Sequence, residues 1–279
     1  MIDIHTHLYF PQYDSNRDDT IQRAFDAGVE FMISVGTEPN DWDKAVEMAY
    51  KDKRIAAALG LHPHFFNEQE PGNEDRLEWD MEELRKAVVE HREKVVAIGE
   101  CGLDYFSHTD TAITREQKEW QKQGFLAQVK LAEEMELPVI IHCRDAYDDL
   151  FHILAERNRS ASSEGRSLTN YILHCYMGDT NVTDKFLTLP NVYFSFTGNI
   201  TFAVKKTWEG TKDDIRETVK MIPLERLLTE TDCPFLAPVP HRGHRNEPKF
   251  VREVVRTVAS LKDVSTEVVE EITSRTSTQ

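Results

Sequence analysis

Ile2-Asp3-Ile4-His5-Thr6-His7-Leu8 is the stretch whose reading decides the fold. Read as a strand, it places Asp3, His5 and His7 on one side and Ile2, Ile4 and Thr6 on the other, because successive side chains alternate between faces. Side chains on one face follow each other at about 7 Å, so two imidazoles at the strand's end can converge on one divalent ion. A lone His-x-His near a terminus is more often a pair of half-exposed histidines. Ligand-type residues at the ends of other strands must decide between the two.

Outward from this strand, the same alternation of short apolar runs and helical patterns continues. The spacing predicts strands at residues 31–35, 55–60, 95–99, 139–142, 171–174, 192–196 and 227–231. Between them it predicts helices at 17–27, 41–51, 81–91, 115–135, 146–157, 182–187 and 213–221, with two more closing the chain. Residues 67–79 read as a long polar insertion and 158–169 as a surface loop. Short, β-branched strands separated by helices are what a parallel sheet covered on both faces requires. Eight such units close a ring, so the expected fold is α/β, a TIM-like (β/α)8 barrel forming one domain over residues 1–279. An open doubly wound sheet is the alternative, but no glycine-rich dinucleotide or phosphate loop follows the first strand.

Composition narrows the function. The chain is 40% hydrophobic and 29% charged, and its apolar runs are too short to span a bilayer. It begins directly on a strand, without the basic and apolar regions of a secretory signal, so a cytoplasmic location is expected. A net charge of −16 argues against a broad electrostatic surface for nucleic acid. Any phosphate affinity must then be local, and bound cations can supply it.

His5, His7, Glu100, His142, His174 and Asp232 all fall at the C-terminal ends of predicted strands, the rim on which such barrels build active sites. Four histidines and two carboxylates exceed what one catalytic zinc takes. The set suits two divalent ions, with Glu100 bridging, His5, His7 and Asp232 completing one site, and His142 and His174 the other. Imidazoles favour zinc, manganese or cobalt, while the carboxylates keep magnesium in play. The four cysteines, Cys101, Cys143, Cys175 and Cys233, each follow one of these ligands and show no C-x-x-C spacing, so they are read as small buried groups facing the helices.

At this point the chain resembles the TatD-type metal-dependent deoxyribonucleases of the amidohydrolase superfamily. The resemblance is carried by Asp3-x-His5-x-His7, Gly60-x-His62-Pro63-His64, Gly99-Glu100-x-Gly102-Leu103-Asp104-Tyr105, His142-x-Arg144-Asp145-Ala146, His174-Cys175, Glu230-Thr231-Asp232-Cys233-Pro234 and Arg245-Asn246-Glu247-Pro248. It implies a TIM-like barrel, the same six metal ligands, activity with magnesium and DNA as substrate. Two departures stand out. The expected Thr-x-x-Asn near the C-terminus is Thr273-Ser274-Arg275-Thr276, which predicts an altered final helix, and Tyr176-Met177-Gly178 lacks the Thr or Ser expected after the aromatic.

Two-metal hydrolysis of a phosphodiester follows, with Asp232 as general base and Glu100 as the bridging carboxylate. His62 and His64, sharing a strand face, and Arg144 and Arg245 are candidate substrate contacts, with Arg242 a further candidate phosphate partner. Tyr105 and Phe106 either stack on a base or belong to the core. No membrane and no obligate protein partner are implied. The rival readings are hydrolysis of a small-molecule phosphoester, lactone or amide, and a barrel that binds without catalysing.

Overall fold

The computed structural model describes residues 1–107, 112–203 and 215–277. Eight parallel strands pair in sequence order: β1 Ile2–Thr6, β2 Phe31–Gly36, β3 Ile55–Leu59, β4 Val95–Asp104, β5 Val139–Arg144, β6 Tyr171–Leu173, β7 Val192–Phe196 and β8 Leu227–Thr229. Around them lie α1 Arg17–Asp26, α2 Pro39–Lys51, α3 Pro63–Asn67, α4 Glu74–Glu90, α5 Arg115–Met135, α6 Tyr147–Glu164, α7 Thr180–Leu187, α8 Ile215–Met221, α9 Val251–Lys262 and α10 Thr266–Thr276. The architecture is the TIM-like barrel.

The strands are apolar on both faces because they separate two cores. Ile4, Val35, Ala58, Ala97, Ile140 and Leu228 form an inner cluster, against which Ile172 and Tyr193 pack from β6 and β7. All eight strands contribute to it and, among the described residues, no helix does, which makes it the barrel interior. A larger outer cluster, including Met32, Leu59, Ile141 and Phe194, joins the strands to the helices. Among the described residues no helix is long and apolar enough to cross a membrane.

Several boundaries differ from the sequence reading. Helix α4 starts at Glu74, not 81, because the Asn73 side chain accepts from the Arg76 amide and Glu74 and Asp75 occupy the first turn, where the helix dipole favours anions. The polar insertion is correspondingly shorter. Helix α6 runs to Glu164 and stops at Gly165, whose φ is +68°. Its last turns are so largely exposed that a polar, serine-rich run conceals the helical period. The helix predicted from 213 is described only from Ile215, and part of the loop before Thr114 also lies outside the described residues. Helix α10 keeps its place despite the unusual sequence: Val269, Thr273 and Thr276 are buried, and the Thr276 hydroxyl donates to the Glu225 carbonyl at 3.2 Å.

Between β8 and β1 the ring closes through one isolated bridge, Thr6 to Cys233, and a set of side-chain bonds. Asp3, fully buried, accepts from the Thr231 amide at 2.9 Å and its hydroxyl at 2.6 Å. Beyond them, the Asp232 amide donates to the His5 carbonyl at 3.0 Å and the His7 amide to the Cys233 carbonyl at 2.9 Å. Strict alternation along β1 therefore does not hold. The register shifts between Asp3 and Thr6, and the Asp3 carboxylate serves the seam and does not join the two imidazoles. Replacing Asp3 by Ala strands a buried amide and hydroxyl, so we expect a loss of about 3 kcal/mol. Calorimetry should record a fall in Tm of roughly 6–10 °C, and a fall of less than about 2 °C would mean that other contacts hold the seam.

Candidate metal centre

Glu100 lies inside β4, where the strand presses hard against its neighbour. A Cβ at Gly102 would collide with the His142 carbonyl oxygen, and one at Gly99 would come within 2.5 Å of the Ile140 carbonyl oxygen. Only glycine permits this approach, which brings Glu100 and His142 together across β4 and β5. The His142 Nδ1 lies 2.9 Å from Glu100 Oε1, which also faces His174 Nε2 at 3.3 Å and His62 Nε2 at 3.5 Å. The other oxygen, Oε2, lies 3.3 Å from His5 Nε2. On the far side Asp232 Oδ1 is 3.5 Å from His7 Nε2 and 3.9 Å from His5 Nε2.

All six residues proposed as ligands thus meet at one rim. Among the described residues, three groups bring their ligand atoms within 4.8 Å of one another: His5, His7 and Asp232; His62, Glu100 and His142; and His5, His174 and Glu230. His62 stands at ligand distance rather than at a phosphate-contact distance outside the cluster. It is not on a strand, as the sequence suggested. It caps α3, its Nδ1 accepting from the His64 amide, and the tight turn into Pro63 carries its other nitrogen inward.

Two carboxylates of this site were missed as participants by the sequence reading. Asp104 Oδ2 lies 3.2 Å from His142 Nε2 and 3.0 Å from His64 Nε2, and Glu230 Oε1 lies 2.9 Å from His174 Nδ1. Each turns one face of an imidazole outward, leaving the opposite nitrogen for the centre. The Val35 carbonyl does the same for His7, at 3.1 Å from Nδ1. Such partners fix tautomer and ring angle in metal sites. Their signal was present in the motifs: Asp104 follows Glu100 by four residues and Glu230 precedes Asp232 by two.

The remaining candidates are distributed differently. Arg144 is exposed at the end of β5 with its guanidinium 3.5 Å from the centre of the Phe106 ring. Arg242 lies over Phe202. The structure does not bring Arg245 to the centre: it bonds the Gln12 carbonyl, Asn16 and Glu247, and covers the Tyr13 ring, tying the loop before α9 to α1. Tyr105 donates to Asp149 at 2.8 Å, which fastens it to α6. Burial pushes all four cysteine thiols above their ordinary range, so they are neutral groups.

Charge in the cluster is balanced by protons. Burial works against charge on every member, yet the imidazoles around Glu100, His174 foremost, hold it well below the usual carboxylate range, and His7 lowers Asp232. In return His174, His142 and His7 are raised despite their burial, by Glu230, Asp104 and Asp232 respectively. Burial dominates at His62, pushed down to about 4, and at His5, which is also lowered. Both ring nitrogens of His5 and one oxygen of Glu230 are buried with no hydrogen-bond partner among the described residues. Orphaned groups of this kind, among imidazole and carboxylate donors, fit divalent cations.

A barrel rim built from such donors defines a metal-dependent hydrolase. The chain belongs to the TatD related DNase family, whose model matches residues 2–279. It is 39% identical over 276 residues to the uncharacterized metal-dependent hydrolase YabD of Bacillus subtilis, covering 98% of this chain and 96% of that one. It is 30% identical over 263 residues to the 3'-5' ssDNA/RNA exonuclease TatD of Salmonella typhimurium, covering 93% and 90%. The crystal structure of YJJV, a TatD homolog from Escherichia coli K12, superposes with a TM-score of 0.82 at 27% identity, over 99% of this chain and 96% of that one.

Two expectations follow. Glu230→Gln leaves the His174 ring in place but weakens its partner, so metal affinity should fall by about 10- to 100-fold with the fold intact, measured by calorimetric titration. Metal binding must also displace protons from His7, His142 and His174. Because their pKa values are raised, affinity should strengthen as pH rises from about 6 to about 8, and titrations in buffers of different ionisation enthalpy should record proton release.

Proposed function

We propose that this hydrolase cleaves phosphodiester bonds of DNA with the help of two divalent ions, magnesium, manganese or zinc. The observation that carries this reading is the placement of Glu100, one of whose oxygens faces His5 while the other faces His142, His174 and His62. A carboxylate so placed can bridge two ions, one held by His5, His7 and Asp232, the other by His142 and His174 with His62 beside them. Bound there, the ions would polarise the phosphoryl oxygen and acidify the attacking water.

The protein's own part is to hold the donors rigid and to receive the proton. Asp232, kept ionised by His7, is the base; its Oδ1, which faces both His5 and His7, would help hold the ion, and the carboxylate would receive the proton. Arg144 at the rim offers a cation to the flanking phosphate, and His64, partly exposed and bonded to Asp104, lies on the same side. The exonuclease activity carried in the name of the Salmonella relative supports a nucleic-acid substrate.

Chelator-treated protein titrated with manganese should saturate at two ions per chain; saturation at one would defeat the bridging role of Glu100. Metal-loaded protein should shorten end-labelled oligonucleotides, and chelator should stop it. Asp232→Asn should retain its circular dichroism and lose about 100- to 10,000-fold in kcat. Turnover confined to lactones or small phosphoesters would move the assignment to a small-molecule hydrolase.

A further inference from the structure

From the aromatic side chains beside His7, we infer that Phe10 and Phe235 form a stacking platform for an unpaired nucleobase next to the scissile phosphate; the inference rests on the phosphodiesterase reading. Phe235 lies three residues after Asp232 and is 47% exposed. Its ring centre is 6.3 Å from that of His7 and 5.9 Å from that of Phe10, edge to face in both cases. Phe10 in turn stacks on His7 at 4.8 Å and 28°. Two phenyl rings thus border one edge of the metal centre, and one presents half its surface to water.

That exposure is held in place. Buried Asn246 donates its side-chain amide to the Thr231 carbonyl at 2.9 Å and the Phe235 carbonyl at 2.6 Å, while its own amide donates to the Pro234 carbonyl at 3.1 Å. The Phe235 amide closes back onto the Asp232 carbonyl at 3.0 Å. The backbone that carries Asp232 therefore also sets where the Phe235 side chain starts, and its edge contacts with His7 and Phe10 place the ring beside the metal centre. An apolar ring fixed at a catalytic rim without burial gains little for the fold; its free face is available to a ligand.

The occupant's chemistry follows from the neighbouring cleft. Phe10 also forms a wall of a cavity of about 910 Å³ lined further by Tyr9, Arg17, Asp41, Lys44 and Glu47. Its cations are already matched, Arg17 by Asp14 at 2.5 Å and Lys44 by Asp41 at 3.1 Å. A phosphate would have to displace these carboxylates from their cations, with Glu47 itself paired to Lys51 at 3.7 Å, in a chain of net charge −16. An uncharged planar base meets two rings. In a duplex the neighbouring bases cover that face by stacking, so the platform selects single strands by requiring an unstacked base.

The test uses metal-loaded protein and two single-stranded oligonucleotides that differ only in carrying a base or an abasic tetrahydrofuran at the nucleotides flanking the cleaved bond. On the base-bearing strand, Phe235→Ala should raise KM by about 5- to 100-fold with kcat nearly unchanged, and Phe235→Trp should restore it. On the abasic strand wild type should already show the raised KM, and Phe235→Ala should add nothing. Equal losses on both strands, or none on either, overturn the proposal. A second readout needs no turnover: a strand carrying 2-aminopurine should lose fluorescence on binding to wild type and keep it with Phe235→Ala. Absence of quenching overturns the platform even if hydrolysis proceeds, whereas quenching without hydrolysis overturns the nuclease assignment and leaves the platform standing.

Discussion

A carboxylate with no exposure to solvent, Asp3, joins the first strand of the barrel to the last by accepting both the amide and the hydroxyl of Thr231. The backbone ladder between β1 and β8 is reduced to an isolated bridge, so this contact and the two amide bonds beyond it set the register at the mouth. That register places His5 and His7 opposite Asp232, which belong to segments more than 220 residues apart. Burial pushes the Asp3 carboxyl well above its ordinary range in spite of its hydrogen bonds, so it is a costly residue to keep inside. What it gains is directional: a short carboxylate reaching across a seam fixes geometry that an apolar pair would leave free to slide.

The same device recurs around the metal centre. Asp104 behind His142, Glu230 behind His174 and the Val35 carbonyl behind His7 each bind one ring nitrogen and present the other inward. The site thus holds its imidazoles aimed before any ion arrives, and protons balance the carboxylates until it does. Glu230 contributes twice, since it also accepts from the Cys175 amide at 2.6 Å and so pins the turn after β6. Preorganised donors of this kind spare the reaction the cost of moving dipoles when charge develops.

An acidic protein proposed to act on a polyanion would have to confine its attraction. Under that reading the described rim would do so with few groups: the proposed metal ligands, an exposed Arg144 resting on Phe106, and two phenylalanines beside His7. Elsewhere cations are spent on structure, as with Arg245 in its bonds to Gln12, Asn16 and Glu247. Glu247, which burial would raise, is held down to about 2 by Arg23, Lys249 and Arg245 together. On the proposed function, this pattern favours recognition through metal and base over recognition through a basic surface.

Hydrophobic periodicity was enough to read eight strands separated by helices, because each strand is a short apolar run and most helices keep an apolar face against it. The barrel, over an open doubly wound sheet, drew on the lack of a glycine-rich loop after the first strand and on the resemblance of the motifs. Periodicity failed where no apolar face marks the helix, at the start of α4 and the end of α6, whose surfaces are largely solvated. The sequence alone also brought His5, His7, Glu100, His142, His174 and Asp232 together, since strand ends in a closed parallel ring share one rim. It could not separate Arg144 from Arg245, both next to motif residues, because which cation is consumed by neighbouring carbonyls depends on packing between α1 and the loop before α9. Nor could it assign Asp104, Glu230 and His62, or reveal that Asp3 belongs to the seam. Those roles depend on where a register slips, where glycine lets β4 and β5 close together, and which way a ring turns, and such distances of a few ångströms exist only once the chain has folded on itself.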